Sequence, residues 1–228
     1  MNYLERYRNG EYAQVWSELL ALGAAVHEEQ HFSQAQAVAA ETMGRVGRNC
    51  ERLVERLESQ GYVFGTYPDG SKRYYSTDPL TPPSEEFLSF MEELEAEAGP
   101  LPLSLTAFWQ VVGAVDFVGM HPDWEDGLDP LVVDPPEGAL AQLYDDEEVF
   151  AALAPDDLHK DNVSGGNPYG ARLPDPCADF LFMYESHNLH FVPYLRLAIL
   201  HWGGFPGLDG SGMQFEPLES LTTDLEPF

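Results

Sequence analysis

Positive charge is scarce in this chain. Its 228 residues hold 11 lysines and arginines against 39 aspartates and glutamates, a formal net charge of −28. The scarcity is uneven. Residues 1–78 carry eight basic and eleven acidic side chains, whereas residues 79–228 carry three and 28. No basic residue stands between Arg73 and Lys160, a stretch that holds 20 acidic ones. Such a field repels phosphate backbones and anionic lipid, so nucleic acid and membrane are excluded as expected partners. It attracts cationic partners and speeds their encounter by up to ~10–10³-fold at low salt. The same charge also fits simple solubility, or a salt-rich cell.

Cysteine is nearly absent: Cys50 and Cys177 are the only two. Their spacing implies no disulfide framework and no paired-cysteine zinc site, although a single bridge between them stays open. Long apolar runs are missing too. Nothing reaches the roughly 18 residues needed to span a bilayer. The start, Met-Asn-Tyr-Leu-Glu-Arg-Tyr-Arg, lacks the apolar stretch of a signal peptide. The expected location is the cytoplasm.

Catalytic signatures are equally sparse. There is no Gly-x-Ser-x-Gly elbow and no His-Glu-x-x-His pair. Gly203-Gly204-Phe205-Pro206-Gly207 lacks the Lys-Ser/Thr that a phosphate loop needs. Asp123-Trp124-Glu125-Asp126-Gly127-Leu128-Asp129 fails calcium-loop spacing, because its glycine falls at the fifth position. With so many carboxylates, any glycosidase-like pair can be imagined, and the signal is empty. No catalytic residue, metal or cofactor is expected.

What is present is a core. Hydrophobic residues make up 44% and aromatics 12%, enough to fold despite the charge. Tyr12, Val15, Trp16, Leu19, Leu22 and Val26 recur at helical spacing from Glu11 to Val26. Ser33 with Gln36 forms a capping-box pattern and opens a second helix, whose stripe runs through Val38, Thr42, Met43, Val46, Cys50, Leu53 and Leu57 to a stop at Gly61. Arg45, Arg48, Arg52 and Arg56 lie mostly off that stripe. The two helices predict an antiparallel hairpin. Residues 62–67 and 72–76 predict a β-hairpin around Pro68-Asp69-Gly70.

Past a proline-rich stretch at residues 79–83, Ser84 caps a helix ending near Gly99, and a shorter helix spans Leu103 to Val112. Residues 115–120 and 131–134 predict strands, residues 138–144 and 146–153 short helices, and residues 179–185 and 189–200 strands. Pro193 marks the last of these as an edge or bent strand. Residues from Gly203 on are expected to be loop-rich. The predicted class is α+β: an N-terminal helical hairpin plus an antiparallel or mixed sheet flanked by helices. The charge changes near residue 80, which divides the chain into 1–80 and 81–228, or else the two share one core and the hairpin's arginines pair with the acidic half.

Leu101-Pro102-x-x-Leu105-x-x-Phe108-x-x-x-x-Gly113 carries a resemblance. It resembles the opening of the SUKH superfamily, the Smi/Knr-like domains that include bacterial immunity proteins. Val115-Asp116-Phe117-Val118-Gly119 is similar to the strand that follows, and Leu131-Val132-Val133-Asp134 to the next one. The likeness is specific over residues 101–134 and loose over about 84–200. It departs where Ala114 follows Gly113, where residues 123–130 form an acidic insertion, and where the N-terminal helices have no counterpart. The resemblance implies a curved antiparallel sheet and a non-catalytic binding role, often neutralising a toxin.

Two functional expectations follow. In the first, the chain is an acidic protein-binding module whose partner is a basic protein, such as a nuclease toxin domain with a cationic cleft. Its binding residues are Asp123, Trp124, Glu125, Asp126 and Asp129, with Trp124 as an exposed anchor, and then Asp145, Asp146, Glu147 and Glu148. In the second, His159, Asp161, His187 and His190 meet in a loop-lined pocket of a hydrolase-like enzyme of unrecognised class. His187 and His190 are three apart, so on a strand they would face opposite ways.

Overall fold

The structure, a computed structural model, describes residues 2–66, 71–72, 78–121, 123–124, 129–145, 149–154, 168–209 and 215–228. It opens with a short helix, α1 (Tyr3–Arg8), fixed by a capping box: the Asn2 side chain accepts from the Glu5 amide at 2.8 Å while Glu5 reaches back to the Asn2 amide. The single helix expected from Glu11 is divided. It forms α2 (Tyr12–Ala21) and a 3-10 turn at Gly23–His27. Gly23 adopts φ +55°, a left-handed conformation that stops the first helix.

The long helix α3 (Glu29–Ser59) begins one turn earlier than Ser33, with Glu28 extended at its N-cap. Glu29 and Gln30 are straight-chain helix formers with no breaker after them, so the helix continues back through them and Ser33 lies inside it. Its buried stripe holds Ala35, Val38, Ala39, Thr42, Met43, Val46, Asn49, Cys50, Leu53 and Leu57. Trp16 of α2 donates to Thr42 Oγ1 at 3.0 Å, and Thr42 donates to the Val38 carbonyl. Gly61 at φ +92° ends the helix as expected.

Three small antiparallel sheets follow among the described residues. β1 (Val63–Phe64) and β2 (Leu80–Thr81) precede α4 (Glu85–Ala98) and α5 (Leu103–Val111), after which come β3 (Ala114–Asp116), β4 (Gly119–Met120) and β5 (Val132–Val133). β1 pairs with β4, and β3 lies between β2 and β5. Ser84 caps α4 by accepting from the Phe87 amide. After α6 (Pro136–Ala141), the third sheet has the order β6 (Leu143–Asp145), β7 (Val149–Ala154), β8 (Tyr169–Leu173). The class is α+β. Of the expected hairpin near residue 70, the Thr66–Lys72 bridge is present, and Pro68-Asp69-Gly70 lies outside the described residues.

Further segments differ from expectation. The helix expected over 138–144 gives way to strand β6 at Leu143, and in place of the helix expected over 146–153, Val149–Ala154 is the central strand of its sheet; pairing on both edges outweighs the weak strand preference of its alanines. Residues 179–185 make only isolated bridges, Gly170 to Met183 and Leu181 to His190, because left-handed turns at Tyr184 (φ +64°) and Asn188 (φ +52°) interrupt any strand. Residues 189–200 are not a strand: α7 (Phe191–Arg196) runs into one π turn at Leu197–His201. Phe191, Val192, Tyr194, Leu195, Ala198 and Ile199 are the buried face, at helical spacing. Pro193 sits in the first turn, where its missing N–H would have had no intrahelical acceptor.

Buried side chains from α3 and from the second half form one continuous core, with α3 packed on both α1 and α5. The last helix, α8 (Leu218–Thr222), leads into residues 223–228, which cross α3. Four arginines one turn apart hold that segment. Arg45 donates to the Pro227 carbonyl, Arg48 and Arg52 grip the Glu226 carboxylate at 2.7 and 2.9 Å, and Arg56 donates to the Leu221 and Thr223 carbonyls. Between them, buried Asn49 exchanges two 2.8 Å hydrogen bonds with the Glu226 backbone. Phe228 is buried at the end of the segment, its carbonyl accepting from Arg196.

Candidate functional site

Of the acidic residues singled out between 123 and 129, the structure describes Asp123 and Asp129, and these two do not share a surface. Asp123 is exposed. Trp124, expected as an exposed anchor, is half-buried in an aromatic nest: it stacks on His121 at 4.5 Å between ring centroids and lies 5.4 Å from Tyr62, 6.0 Å from Phe205 and 4.8 Å from Phe215. His121 holds the loop there. Its Nε2 donates to the Gln60 carbonyl at 2.8 Å, which leaves Nδ1 to accept from the Asp123 amide at 3.1 Å. Asp129 is only 4% exposed, at φ +42°, and accepts from the Tyr169 hydroxyl at 3.0 Å. It faces the interior because a carboxylate with a buried hydroxyl donor is a structural partner, which a linear run of acids cannot reveal. Glu125, Asp126, Asp146, Glu147 and Glu148 lie outside the described residues. Asp145 ends β6, and its side chain also lies outside them.

A larger acidic surface lies on α4. Phe87, Met91, Leu94 and Ala98 form its buried face. That leaves Glu85, Glu86, Glu92, Glu93, Glu95 and Glu97 exposed, and Leu88 is 47% exposed among them. Among the described residues no ion pair reaches any of these six. Five arginines among the described residues are engaged elsewhere: Arg6 with Glu11 and Glu18, Arg8 and Arg45 with Glu41, Arg48 and Arg52 with Glu226. Hydrogen bonds from Arg6 hold the Glu18 carboxyl down at about 2. The signal was present in the sequence, since α4 falls inside the stretch without lysine or arginine.

The second constellation centres on His187. Its Nδ1 meets Glu185 Oε1, and its Nε2 meets Asp209 Oδ2 at 2.9 Å. Glu185 is 6% exposed and also accepts from the His187 amide at 2.8 Å. Asp209 follows a 3-10 turn at Pro206–Leu208. The two carboxylates lie at opposite nitrogens, so they do not converge on one point where an ion could sit. Each ring nitrogen thus faces a carboxylate of the chain itself. His190, its expected companion, is the N-cap of α7 and bridges Leu181 through its backbone. His159 and Asp161 lie outside the described residues. Sequence reasoning missed Glu185 and Asp209, which no spacing rule links to His187.

Behind this junction, Tyr169 and Tyr194 are buried, and the charges of Asp129 and Glu185 add to that burial in pushing both phenols far up. Asp179 is buried as well. It accepts from Ser104 Oγ at 2.7 Å and from the Val192 amide at 3.1 Å, joining α5 to the first turn of α7, and burial pushes its carboxyl up to about 7. Both cysteines are free, which excludes the bridge left open above. Burial pushes the Cys50 thiol to about 12 and, together with Asp175, the Cys177 thiol to about 11, so neither is a ready nucleophile.

Among the described residues no group of three or more histidine, cysteine, aspartate or glutamate side chains is gathered as a metal ion requires, and no helix is long and apolar enough to cross a membrane. Over residues 101–134, Leu105 and Phe108 of α5 are buried, Gly113 turns the chain at φ +94°, and β3 pairs with β5. Compared with known proteins, the chain matches no family model, no curated protein and no solved structure.

Proposed function

We propose that this protein is a non-catalytic acidic binding module that engages a basic protein, in the manner of an immunity protein facing a cationic toxin domain such as a nuclease. The observation that carries the reading is the α4 face: six exposed glutamates without a cationic partner among the described residues, around the exposed Leu88. The arginines of α3 face the chain's own C-terminal segment and leave that face negative. Exposed charge of one sign steers encounter and raises the association rate, while an apolar contact slows release. Asp123 adds to the same potential from its loop. The resemblance over residues 101–134 points to the same kind of partner.

The test compares wild type with a variant in which Glu85, Glu86, Glu92, Glu93, Glu95 and Glu97 are glutamine. A basic partner recovered at low salt should associate several-fold more slowly with the variant, and the difference should shrink at high salt. A partner that associates equally fast with both proteins at low salt overturns the assignment of this face.

A further inference from the structure

We propose that His187 is a proton-gated tie between the Glu185 turn and the segment that carries Phe205, and that loss of one proton releases Asp209 while Glu185 stays bound. The imidazole stands between two carboxylates from separate parts of the chain, with Glu185 at Nδ1 and Asp209 at Nε2. Both contacts are satisfied together only by the two N–H donors of an imidazolium. A neutral ring has one N–H and turns a lone pair toward the other anion.

Burial decides which contact survives. The Glu185 side chain is 1% exposed and that of Asp209 is 41% exposed. An unpaired carboxylate costs far more in the interior than at the surface. Glu185 therefore keeps the remaining N–H, and Asp209 turns to water. Glu185 is further held by the His187 amide, and the Ser186 hydroxyl lies 3.4 Å from its Oε1 and 3.3 Å from His187 Nδ1. The other titratable groups facing this junction are Tyr169 of β8, Tyr194 of α7 and Asp129, which Tyr169 holds through its hydroxyl.

The turn carrying His187 is flanked by Tyr184 and Asn188, both at positive φ. On the other side, Asp209 closes the turn that begins at Phe205, and Phe205 packs against Tyr62, Trp124 and Phe215. The tie thus links that turn to the chain that supports the Trp124 nest.

Nitrogen-15 NMR of the imidazole in the intact wild-type protein tests the proposal without any substitution. As pH is raised, the first ring proton to leave should come from Nε2, and the neutral ring should keep its proton on Nδ1. A neutral ring that carries its proton on Nε2 overturns it. Hydrogen exchange gives a second reading. The Leu208 and Asp209 amides, which bond to the Phe205 and Pro206 carbonyls, should lose several-fold in protection when the ring becomes neutral, after correction for base catalysis. His187→Gln should remove that change. An identical pH trend in wild type and His187→Gln refutes the tie.

Discussion

At the scale of single residues, Asp179 makes the sharpest prediction. Its folded carboxyl is pushed from 3.8 up to about 7, first by burial, against the opposing hydrogen bonds from Ser104 and the Val192 amide. A carboxyl raised on folding binds its proton more tightly in the native state. Its stabilising contribution is therefore fully present below the unfolded value and is lost as pH rises through 7. The gap corresponds to roughly 4 kcal/mol. Thermal unfolding of wild type and Asp179→Asn should therefore diverge: the variant gains on wild type as pH rises from about 4 to about 8. Parallel curves across that range would show that Asp179 titrates normally. Little of this was legible beforehand. Asp179, Asp129 and Glu185 are ordinary acids in a chain full of acids, and only burial separates them from the exposed ones. Trp124 misled in the same way, because its aromatic neighbours come from residues 62, 205 and 215.

At the scale of elements, two substitutions separate strong contacts from weak ones. Gly113 sits at φ +94° with its Cα against the Thr81 carbonyl, and an added Cβ would come within 2.0 Å of that oxygen. Gly113→Ala should destabilise by about 2 kcal/mol or more in denaturant unfolding, from unfavourable φ and a backbone clash together. The C-terminal crossing offers a contrast. Asn49 is buried and bonds both the amide and the carbonyl of Glu226, whereas the Glu226 carboxylate pairs with Arg48 and Arg52, which are 49% and 38% exposed. Asn49→Ala should lower stability by about 2 kcal/mol, and Glu226→Gln by less than about 1 kcal/mol, because solvent screens the ion pairs. Equal losses in denaturant titrations would mean that the arginines hold the segment more firmly than their exposure implies.

Elements with local signals were legible in the sequence. Ser84 and Gly99 bound α4, and Gly61 ends α3, because a cap is a matter of adjacent residues. The segment 189–200 was not. Its apolar residues suit either period, and Pro193 reads as a strand edge until its place in the first turn of a helix is known. Val149–Ala154 was hidden for a related reason: its strand state depends on β6 and β8, which no local pattern supplies.

At the scale of the whole molecule, the charge of −28 acts on stability as well as on partners. Like charges on α4 repel along the helix, as Glu92 and Glu95 do one turn apart. Replacing Glu92, Glu93 and Glu95 with glutamine should raise the melting temperature at low salt. The gain should vanish near about 1 M salt, where the screening length falls to ~3 Å. A gain that persists at high salt would point to helix propensity instead of repulsion. The overall charge imbalance and the α+β class were plain from composition and patterning. Which acids lie on one face became visible only once α4 showed which side it buries.

The crossing of residues 223–228 over α3 also bears on how the protein is made. Asn49 and Glu226 are 177 residues apart. At roughly 5–20 residues per second, a ribosome needs about 10–30 s to deliver the second after the first. For that interval the nascent α3 holds Arg48, Arg52, Arg56 and a buried asparagine with their acceptors in residues 221–226 not yet synthesised. The side of α3 that these residues cover is therefore closed only after residues 223–228 have emerged.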